Sequence, residues 1–411
     1  MSMKTVRKQK ALVAAVLAST MILGACGQAG GGEDSPQGGD TESQGSANDG
    51  RGVGDVAVPA AAEERGYYHL DEWWEAAPDD QARHDAFMQL VQADAEASNL
   101  ESDEPLKIAF LFPSLELSDA WGRLGLAITG RLDDLGIEYE TTEFLIRPDE
   151  HDRQATQIEQ IIAEADKWDY VVVGPSEYTA QKRNLERLAE AVPTLVQNIV
   201  NPFTDITPGS EPITHVGFDH SVGAQALCEW TIEQTGGEGE FALLRYVPGL
   251  VDELRSDVFA ECLEENSNMT LVGDYEAEGD TDQAYTGTNA LIGANPDIAM
   301  LHSGSTAVSL GALAGLRERG MLDDVIVNGW GGGQDELDAI IKGDLDVTAF
   351  RVNDDWGVSV AEAIRLHAEG RQDEIPYVIA ATIETVDKSM SAEEIEAKTD
   401  YAFRYSGDID R

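Results

Sequence analysis

Short apolar segments alternate with stretches of helical periodicity along most of the chain. The segments LKIAFLFPS (106–114), YVVVGPS (170–176) and PTLVQNI (193–199) each predict a strand, and helix-like spacing lies between them, including 152–166 and 179–191. Strands that alternate with helices are typical of parallel β-α units in a doubly wound sheet. The first half of the chain therefore predicts an α/β fold.

The alternation begins again at position 241. A second series comprises FALLRYVPG (241–249), MTLVGDYEAE (269–278), IAMLHSGS (298–305) and VIVNGW (325–330). Two series exceed what one compact domain usually holds, so we predict two doubly wound parallel-sheet lobes. The remaining segments, LDVTAFRVNDDWG (345–357) and YVIAATIETV (377–386), are too few for a third lobe and are predicted to complete both sheets.

Completion of both sheets by the last segments requires a hinge in which several chain segments cross between the lobes. We expect crossings near 217–220, 331–333 and 353–355. The predicted boundaries are 101–216 plus 334–352 for the N-terminal lobe and 220–330 plus 356–408 for the C-terminal lobe. Because ligands of open α/β sheets bind outside the carboxyl ends of the strands, the cleft between the lobes is the expected site.

The start of the chain resembles a bacterial lipoprotein signal. Basic residues between 4 and 10 precede an apolar run over 11–23, and the motif LGAC ends at Cys26. We expect 1–25 to be the signal peptide and Cys26 to carry the lipid that anchors the protein outside the cytoplasm. A secretory peptide with a chance cysteine is the alternative. Residues 26–62 predict a disordered acidic Gly/Ser-rich tether, and 63–100 predict a helical N-terminal arm.

Composition narrows the functional classes. The 411 residues include 77 acidic and 28 basic residues, and the formal net charge of −49 argues against nucleic acid as a partner and favours a solvated acidic surface. The two cysteines that follow Cys26 are Cys228 and Cys262, which either form a disulfide or remain buried free thiols.

The stretch VNGWGGGQDELDAI (327–340) places a tryptophan and three glycines between a predicted strand and a predicted helix. It has neither the spaced glycines of a dinucleotide-binding turn nor the Lys-Ser/Thr pair of a phosphate-binding loop. A bendable backbone beside an indole instead suits a ligand with an apolar ring face, such as a sugar. The alternative is that Trp330 is a buried residue that ends a core strand.

Catalytic motifs are missing from the sequence. Neither G-x-S-x-G nor H-E-x-x-H occurs, and the seven histidines show no metal-ligand spacing. We therefore expect no enzymatic activity, no metal site and no cofactor. A glycoside-active enzyme is the minor alternative, since Glu116 and Asp119 are expected in the cleft.

Motifs spread over the whole body carry a family resemblance. They are LSDAW (117–121), RPD (147–149), LVQNI (195–199), VGFDH (216–220), NGWGGGQDELDAIIKGDLDVT (328–348), RVNDD (351–355) and AFRYS (402–406). From about position 67 onward the sequence resembles the type I periplasmic binding proteins, and within them it is similar to the autoinducer-2 receptor of marine bacteria. The resemblance implies the fold of that family and a ligand enclosed between its lobes.

The resemblance also implies a set of ligand-binding residues, which are Glu116, Ser118, Trp121, Asn198, Arg255, Thr306, Trp330 and Arg351. Arginine forks suit an anionic or oxygen-rich ligand, indoles cover an apolar face, and Ser, Asn and Thr bind hydroxyls. Taken singly, Arg255 is as readily a solvated charge, and Arg351 an ion-pair partner of Asp354 or Asp355. Glu116 departs from the family pattern, because the receptor has a glutamine there and a carboxylate would repel a borate diester.

These expectations combine into a lipid-anchored extracytoplasmic receptor that closes two lobes around a small polyhydroxylated ligand. The first expectation for the ligand is autoinducer-2, a quorum-sensing signal, with boron only as part of the ligand itself. The alternative is a pentose or related sugar bound for an ABC importer. The expected partner that recognises the closed form is a membrane ABC permease or a sensor kinase.

Overall fold

The computed structural model describes residues 56–100, 104–113, 119–147 and 150–407. Three helices precede the first strand, namely α1 (Ala60–Arg65), α2 (Leu70–Ala76) and α3 (Pro78–Gln92). Helix α3 begins with a proline in its first turn followed by Asp79 and Asp80, a pattern that suits the free N–H groups and the positive end of the helix dipole. Helices α2 and α3 lie within the segment predicted as a helical arm, whereas α1 begins at Ala60, so the predicted disordered tether 26–62 extends too far. The predicted signal peptide 1–25 and the tether up to position 55 lie outside the described residues.

The N-terminal lobe opens with a strand that is buried on both faces. Its first elements are β1 (Leu106–Pro113), α4 (Ala120–Leu135), β2 (Tyr139–Ile146), α5 (His151–Ala163), β3 (Tyr170–Val173), α6 (Tyr178–Ala191), β4 (Thr194–Gln197) and β5 (Thr214–Phe218). Strand β1 is buried from Ile108 to Pro113, as expected for a central parallel strand covered by helices on both sides.

The C-terminal lobe follows without a long linker. Its elements are α7 (His220–Thr235), β6 (Glu240–Arg245), α8 (Leu250–Asp252), a π-helical turn (Glu253–Asp257), α9 (Val258–Asn266), β7 (Thr270–Glu276), α10 (Thr281–Ala294), β8 (Ile298–Ser303), α11 (Thr306–Arg319), β9 (Ile326–Gly331), α12 (Gln334–Lys342) and β10 (Val347–Arg351). Cys228 of α7 and Cys262 of α9 form a disulfide with their Cα atoms 6.2 Å apart, so the disulfide, and not the pair of free thiols, is what the structure contains.

The last elements return to both lobes. They are α13 (Asn353–Ala368), β11 (Val378–Ala381), β12 (Ile383–Asp387) and α14 (Ala392–Ala402). The N-terminal sheet has the order β11-β5-β4-β3-β1-β2, and the C-terminal sheet has the order β12-β10-β9-β8-β6-β7. All pairs are parallel except β10 with β12, which is antiparallel. The predicted fold class, two α/β lobes with parallel sheets, is confirmed.

The described chain crosses between the lobes at Asp219, Val352 and Thr382. At each of these residues, the element before it belongs to one lobe and the element after it belongs to the other. The Val352 N–H donates to the Thr382 carbonyl oxygen at 3.0 Å, which ties two crossings together. The predicted crossing at 217–220 contains Asp219. The predicted crossing at 353–355 lies one residue after Val352, and the crossing at Thr382 was not predicted.

Two predicted lobe assignments are wrong. Segment 334–352 was assigned to the N-terminal lobe, but β10 pairs with β9 and β12, so this segment completes the C-terminal sheet. Much of segment 356–408 lies in the N-terminal lobe instead, because α13 packs on α4 and β11 pairs with β5. Gly357 of α13 allows this packing, since a Cβ there would lie 2.4 Å from the Ala127 Cβ. The turn at 331–333 connects β9 to α12 within the C-terminal lobe and is not a crossing.

The helical arm packs at one edge of the N-terminal sheet, beside β11. Asp80 is 2% exposed and accepts hydrogen bonds from Trp73 Nε1 at 2.8 Å, the Tyr377 N–H at 2.7 Å and the Val378 N–H at 3.2 Å. A free strand edge invites pairing with another chain, so the arm protects β11 as well as adding to the core. None of the described helices is long and apolar enough to cross a membrane.

Candidate ligand-binding site

One cavity lies at the carboxyl ends of strands from both sheets. Its empty space is about 790 Å³, part of which is open to solvent, and it is lined by residues that follow β3, β4, β6, β8, β9 and β10. The parallel order of the strands places these ends side by side, which is where open α/β sheets bind ligands. The topology alone thus brings segments distant in sequence to one cleft.

Six of the eight predicted site residues line this cavity, and they are Trp121, Asn198, Arg255, Thr306, Trp330 and Arg351. Glu116 and Ser118, like the predicted lipidation site Cys26, lie outside the described residues. The predicted residues that the structure describes therefore meet at one place, although they come from segments more than 200 positions apart in the sequence.

Arg255 lies in the π-helical turn between α8 and α9. Its Nη1 donates to the Gly304 carbonyl oxygen at 2.8 Å, and its Cζ lies 5.0 Å from the centre of the Trp330 ring and 5.3 Å from that of Tyr246. The side chain is 5% exposed, so the alternative of a solvated charge does not apply. Burial, together with the nearby positive charge of Arg351, lowers the pKa of Arg255.

Arg351 ends strand β10 and is 6% exposed, with its Cζ 5.3 Å from the centre of the Phe218 ring. Burial lowers its pKa. The two acids considered as its ion-pair partners bind elsewhere, because Asp355 pairs with Arg404 at 2.7 Å and Asp354 accepts from the Ser406 N–H at 2.9 Å. Within the described residues, neither cleft arginine has a carboxylate at ion-pair distance.

The backbone conformation after Trp330 requires glycine at positions 331 and 332. Gly331 and Gly332 have φ angles of 124° and 69°, and a Cβ on Gly332 would lie 2.3 Å from the Phe350 side chain. The buried Glu336 carboxylate fixes the turn by accepting from the Trp330 N–H at 3.0 Å, the Gly332 N–H at 2.8 Å and Thr348 Oγ1 at 2.6 Å. Trp330 is 1% exposed, so it is both a core residue of the C-terminal lobe and part of the cavity wall.

Gln197 and Asn198 end strand β4 on the opposite lobe. Gln197 Oε1 accepts from Trp356 Nε1 at 2.8 Å, which fixes the amide so that its buried Nε2 is a donor without a protein partner. Asn198 adopts a φ of 64°, and Gly217 permits this because a Cβ there would lie 2.8 Å from the Asn198 backbone. His220 Nε2 lies 3.2 Å from the Asn198 carbonyl oxygen, and burial lowers the pKa of His220 well below its usual value.

Sequence reasoning missed several lining residues, notably Gln197, Glu177, Tyr246 and Ser305. Each is a polar residue within a few positions of the end of an apolar strand, a signal that was present in the sequence but not used. Glu177 also caps α6, accepting from the Thr179 N–H at 3.2 Å and from Thr179 Oγ1 at 2.7 Å.

The lobes approach each other on both sides of the cavity. A Cβ on Gly249 would lie 2.9 Å from the Glu177 side chain, and one on Gly333 would lie 2.6 Å from Asp119 Oδ1. Asp119, one of the two acids of the glycoside-active alternative, accepts from Arg123 Nε at 2.8 Å and is not among the described residues that line the cavity. In the described part of the chain, no group of His, Cys, Asp and Glu side chains is arranged to hold a metal ion.

Comparison with known proteins identifies relatives of the same architecture. The D-apiose import binding protein of Actinobacillus succinogenes is 30% identical over 131 residues, which are 31% of this chain and 42% of that protein. A solute-binding protein of the same species with bound D-allose covers 72% of this chain and 100% of its own at 20% identity, with a TM-score of 0.61. One from Agrobacterium radiobacter in complex with D-arabinose covers 72% and 99% at 19% identity, with a TM-score of 0.63.

The structural matches are below 25% identity and show the fold, and the D-apiose relative is matched over less than half of its length. These comparisons support the family resemblance but give no support to the narrower similarity to autoinducer-2 receptors. The periplasmic binding protein domain itself matches residues 108–372, which cover both lobes. The chain belongs to the periplasmic binding protein family, whose members act outside the cytoplasm.

Proposed function

We propose that this protein is a solute-binding protein that encloses a small sugar or sugar derivative between its lobes. The observation that carries the proposal is the cavity at the carboxyl ends of both sheets, where Trp330, Arg255 and Arg351 meet Trp121 and Asn198. Indoles suit the apolar face of a sugar ring, while guanidinium and amide groups suit its oxygens. The relatives described above, which bind or import D-apiose, D-allose and D-arabinose, support this class of ligand.

The residues that line the cavity come from both lobes, and we therefore expect the lobes to close on the ligand. Asn198 and Trp121 belong to the N-terminal lobe, whereas Arg255, Thr306 and Arg351 belong to the C-terminal lobe. A ligand that contacts both sides stabilises the closed form over an open one, with the crossings at Asp219, Val352 and Thr382 as the hinge. An ABC permease that recognises the closed form is the proposed partner, and the importer relative supports it over a sensor kinase.

The ligand proposal departs from the first expectation, autoinducer-2. That expectation rests on motif resemblance alone, whereas the comparisons favour the alternative, a pentose or related sugar. Calorimetry with autoinducer-2, with and without borate, separates the two. Binding that requires borate and that tightens in Glu116→Gln would restore the autoinducer-2 assignment, because a negative charge at this position is expected to repel an anionic diester.

The proposed function is tested by titration of ligand-free protein. The protein is unfolded in denaturant, dialysed to remove copurified ligand and refolded, and a panel of pentoses, hexoses and the acids derived from them is then titrated calorimetrically. Saturable binding without turnover is expected, and p-nitrophenyl glycosides are expected to stay intact. Hydrolysis of a glycoside, or the absence of binding to every carbohydrate in the panel, would contradict the proposal.

We also propose that Cys26 is lipidated and anchors the protein to the cell membrane outside the cytoplasm. The support is the order of basic residues, apolar run and LGAC motif in the sequence. Changing Cys26 to Ser should release the protein from the membrane fraction without altering ligand affinity. Firm retention of the variant in washed membranes would contradict the anchor.

A further inference from the structure

We infer that the ligand carries a carboxylate, so that the natural solute is a sugar acid, an aldonate or uronate, and not a neutral sugar. The inference rests on the proposed function and narrows it to one chemical class. It follows from the charges that meet in the cavity and from the hydrogen-bonding groups that the protein leaves unpaired there.

The first observation is a pair of buried positive charges without a carboxylate at ion-pair distance among the described residues. Glu336 and Asp119 act on Arg351 electrostatically, but Glu336 accepts hydrogen bonds from the turn at Trp330 and Asp119 binds Arg123. Arg255 and Arg351 are 5% and 6% exposed and both line the cavity. They contact the same turn, because Arg255 lies over the Trp330 ring, and a Cβ on Gly331 would lie 2.8 Å from Arg351 Nη2. Buried charges are normally paired, and the acids nearest in sequence to Arg351 pair elsewhere. An anion bound between the guanidiniums would supply the missing charge.

The second observation concerns hydrogen-bond donors. Buried donors without a protein partner at this site are Arg255 Nε, Arg351 Nε, Gln197 Nε2 and Trp330 Nε1. The orientation of the Gln197 amide is fixed by the Trp356 indole, so its free NH group cannot be exchanged for an acceptor. The residues that line the cavity therefore carry hydrogen-bond donors that have no acceptor in the protein. A ligand rich in acceptor oxygens suits such a site.

The third observation is the scarcity of carboxylates, because the other side-chain acceptors among the described lining residues are hydroxyl groups, such as those of Ser305 and Thr306, and amide oxygens. A neutral sugar hydroxyl both accepts and donates, so a site for a neutral sugar needs acceptors for the hydroxyl protons, and carboxylates form the strongest of these hydrogen bonds. Among the described lining residues the one carboxylate is Glu177, which already accepts from Thr179 N and Oγ1 and caps α6. Asn198 Oδ1 is a buried acceptor without a partner, which suits one or two ligand hydroxyls but not a full set. A carboxylate accepts hydrogen bonds without requiring acceptors in return.

The test is calorimetry with pairs that each consist of a neutral sugar and an acid derived from it by oxidation. The probes are D-galactose with D-galacturonate, D-glucose with D-glucuronate, and L-arabinose with L-arabinonate, titrated into refolded, ligand-free full-length protein at pH 7.5. In any pair that binds, the acid is expected to bind at least tenfold more tightly than the neutral partner. Equal or tighter binding of the neutral sugar overturns the inference but leaves the proposed function intact. A panel without any binding contradicts both.

An independent readout uses the ligand that copurifies with the protein. Mass spectrometry of the small molecule released by denaturation should find a carboxylated carbohydrate. A neutral carbohydrate would overturn the inference whatever the panel shows.

Variants separate the arginines from other sources of selectivity. Arg255→Gln and Arg351→Gln should each reduce the acid-to-neutral preference at least tenfold, whereas Arg317→Gln, an exposed arginine paired with Asp344 far from the cleft, should leave it unchanged. Unchanged preference in both folded cleft variants overturns the inference. The Glu116→Gln variant tests the alternative that Glu116 is the counter-ion of the two arginines. In that case the parent protein would bind neutral sugars, and the variant would bind them less tightly.

Discussion

Two sets of buried polar groups contact the turn at Trp330, and they differ in how completely the protein satisfies them. Glu336 is fully buried and accepts hydrogen bonds from two backbone N–H groups and from Thr348 Oγ1. Arg255 and Arg351 are nearly as buried, yet each leaves its Nε without a partner, and neither has a described carboxylate at ion-pair distance. A satisfied buried charge stabilises the fold, whereas an unsatisfied one costs free energy that bound ligand can recover.

This difference implies that substitutions of Glu336 and substitutions of the two arginines change different measured quantities. Changes at Glu336 should appear in the free energy of unfolding, since its partners belong to the protein. Changes at the arginines should appear in ligand affinity and leave unfolding of the ligand-free protein nearly unaltered. The following predictions test this division from the largest expected effect to the smallest.

Glu336→Ala should produce the largest loss of stability. It leaves the Trp330 and Gly332 N–H groups and the Thr348 hydroxyl buried without an acceptor, and each such group costs about 1–3 kcal/mol, or roughly 3–9 kcal/mol in total. Urea unfolding followed by circular dichroism measures the change. Glu336→Gln should lose less, because it keeps one acceptor oxygen. If Glu336→Ala unfolds at the parent's urea midpoint, the turn is held by something other than this carboxylate.

Removal of the disulfide should also act on stability alone. Cys228 and Cys262 are 34 positions apart, and the chain-entropy relation gives roughly 3–4 kcal/mol for a loop of that length. The bridge joins α7 to α9, which follows the turn that carries Arg255. The double Cys→Ser variant should melt at a lower temperature but bind ligand within about threefold of the parent. A much larger loss of affinity would mean that the bridge also positions Arg255.

Arg255→Met and Arg351→Met should separate affinity from stability most clearly. Truncation of one member of a desolvated charge-assisted contact typically costs about 2–5 kcal/mol, so ligand affinity should fall roughly thirtyfold or more. Unfolding of the ligand-free variants should be no easier than that of the parent, because each substitution removes an unpaired buried charge. Arg→Lys should recover only part of the affinity, since an ammonium cannot reproduce the planar fork.

The matched control for the arginine variants is Arg317→Met. This residue is 55% exposed and pairs with Asp344, so neither measurement should change by more than a few tenths of a kcal/mol. Parent-like affinity in both cleft variants would remove the cavity from consideration as the binding site. Marked destabilisation of the ligand-free variants would instead show that the two arginines, like Glu336, stabilise the fold.

The sequence was sufficient to predict the strands, the two lobes and much of the cleft. The alternation of apolar and polar segments indicates which parts of the chain are buried. Residues at the carboxyl ends of parallel strands lie close together because these ends meet at the same edge of the sheet. It was not sufficient to assign 334–352, because the pattern of β10 shows that it is buried but not whether β9 or the other sheet lies beside it. The apolar run at 377–386 was predicted as one strand, yet Thr382 divides it between the sheets. Gln197 was missed because the fixed orientation of its amide depends on Trp356, 159 positions away.

Trp330→Phe should affect both measurements, and each by a modest amount. The indole packs in the core of the C-terminal lobe and also lines the cavity below Arg255. A phenyl ring leaves a small void and a weaker cation–π contact, so stability and affinity should each fall by about 1–2 kcal/mol. Melting curves and titrations on the same preparation measure both. A loss confined to stability would place the indole wholly in the core, and a loss confined to affinity would place it wholly in the site.

The smallest expected effect is a change in the pH dependence of stability at His220. Burial first, and then the positive charges of Arg255 and Arg351, lower the pKa of His220 well below its usual value. The unfolded chain takes up a proton near pH 6.5 that the folded protein does not, so this contribution to stability is complete above pH 6.5 and is lost as the pH falls below it. Between pH 7 and pH 5.5 one such histidine costs roughly 1 kcal/mol. His220→Gln should therefore flatten the fall in urea midpoint over that interval by about this amount, and an unchanged slope would mean that His220 becomes protonated in the folded protein despite the two arginines.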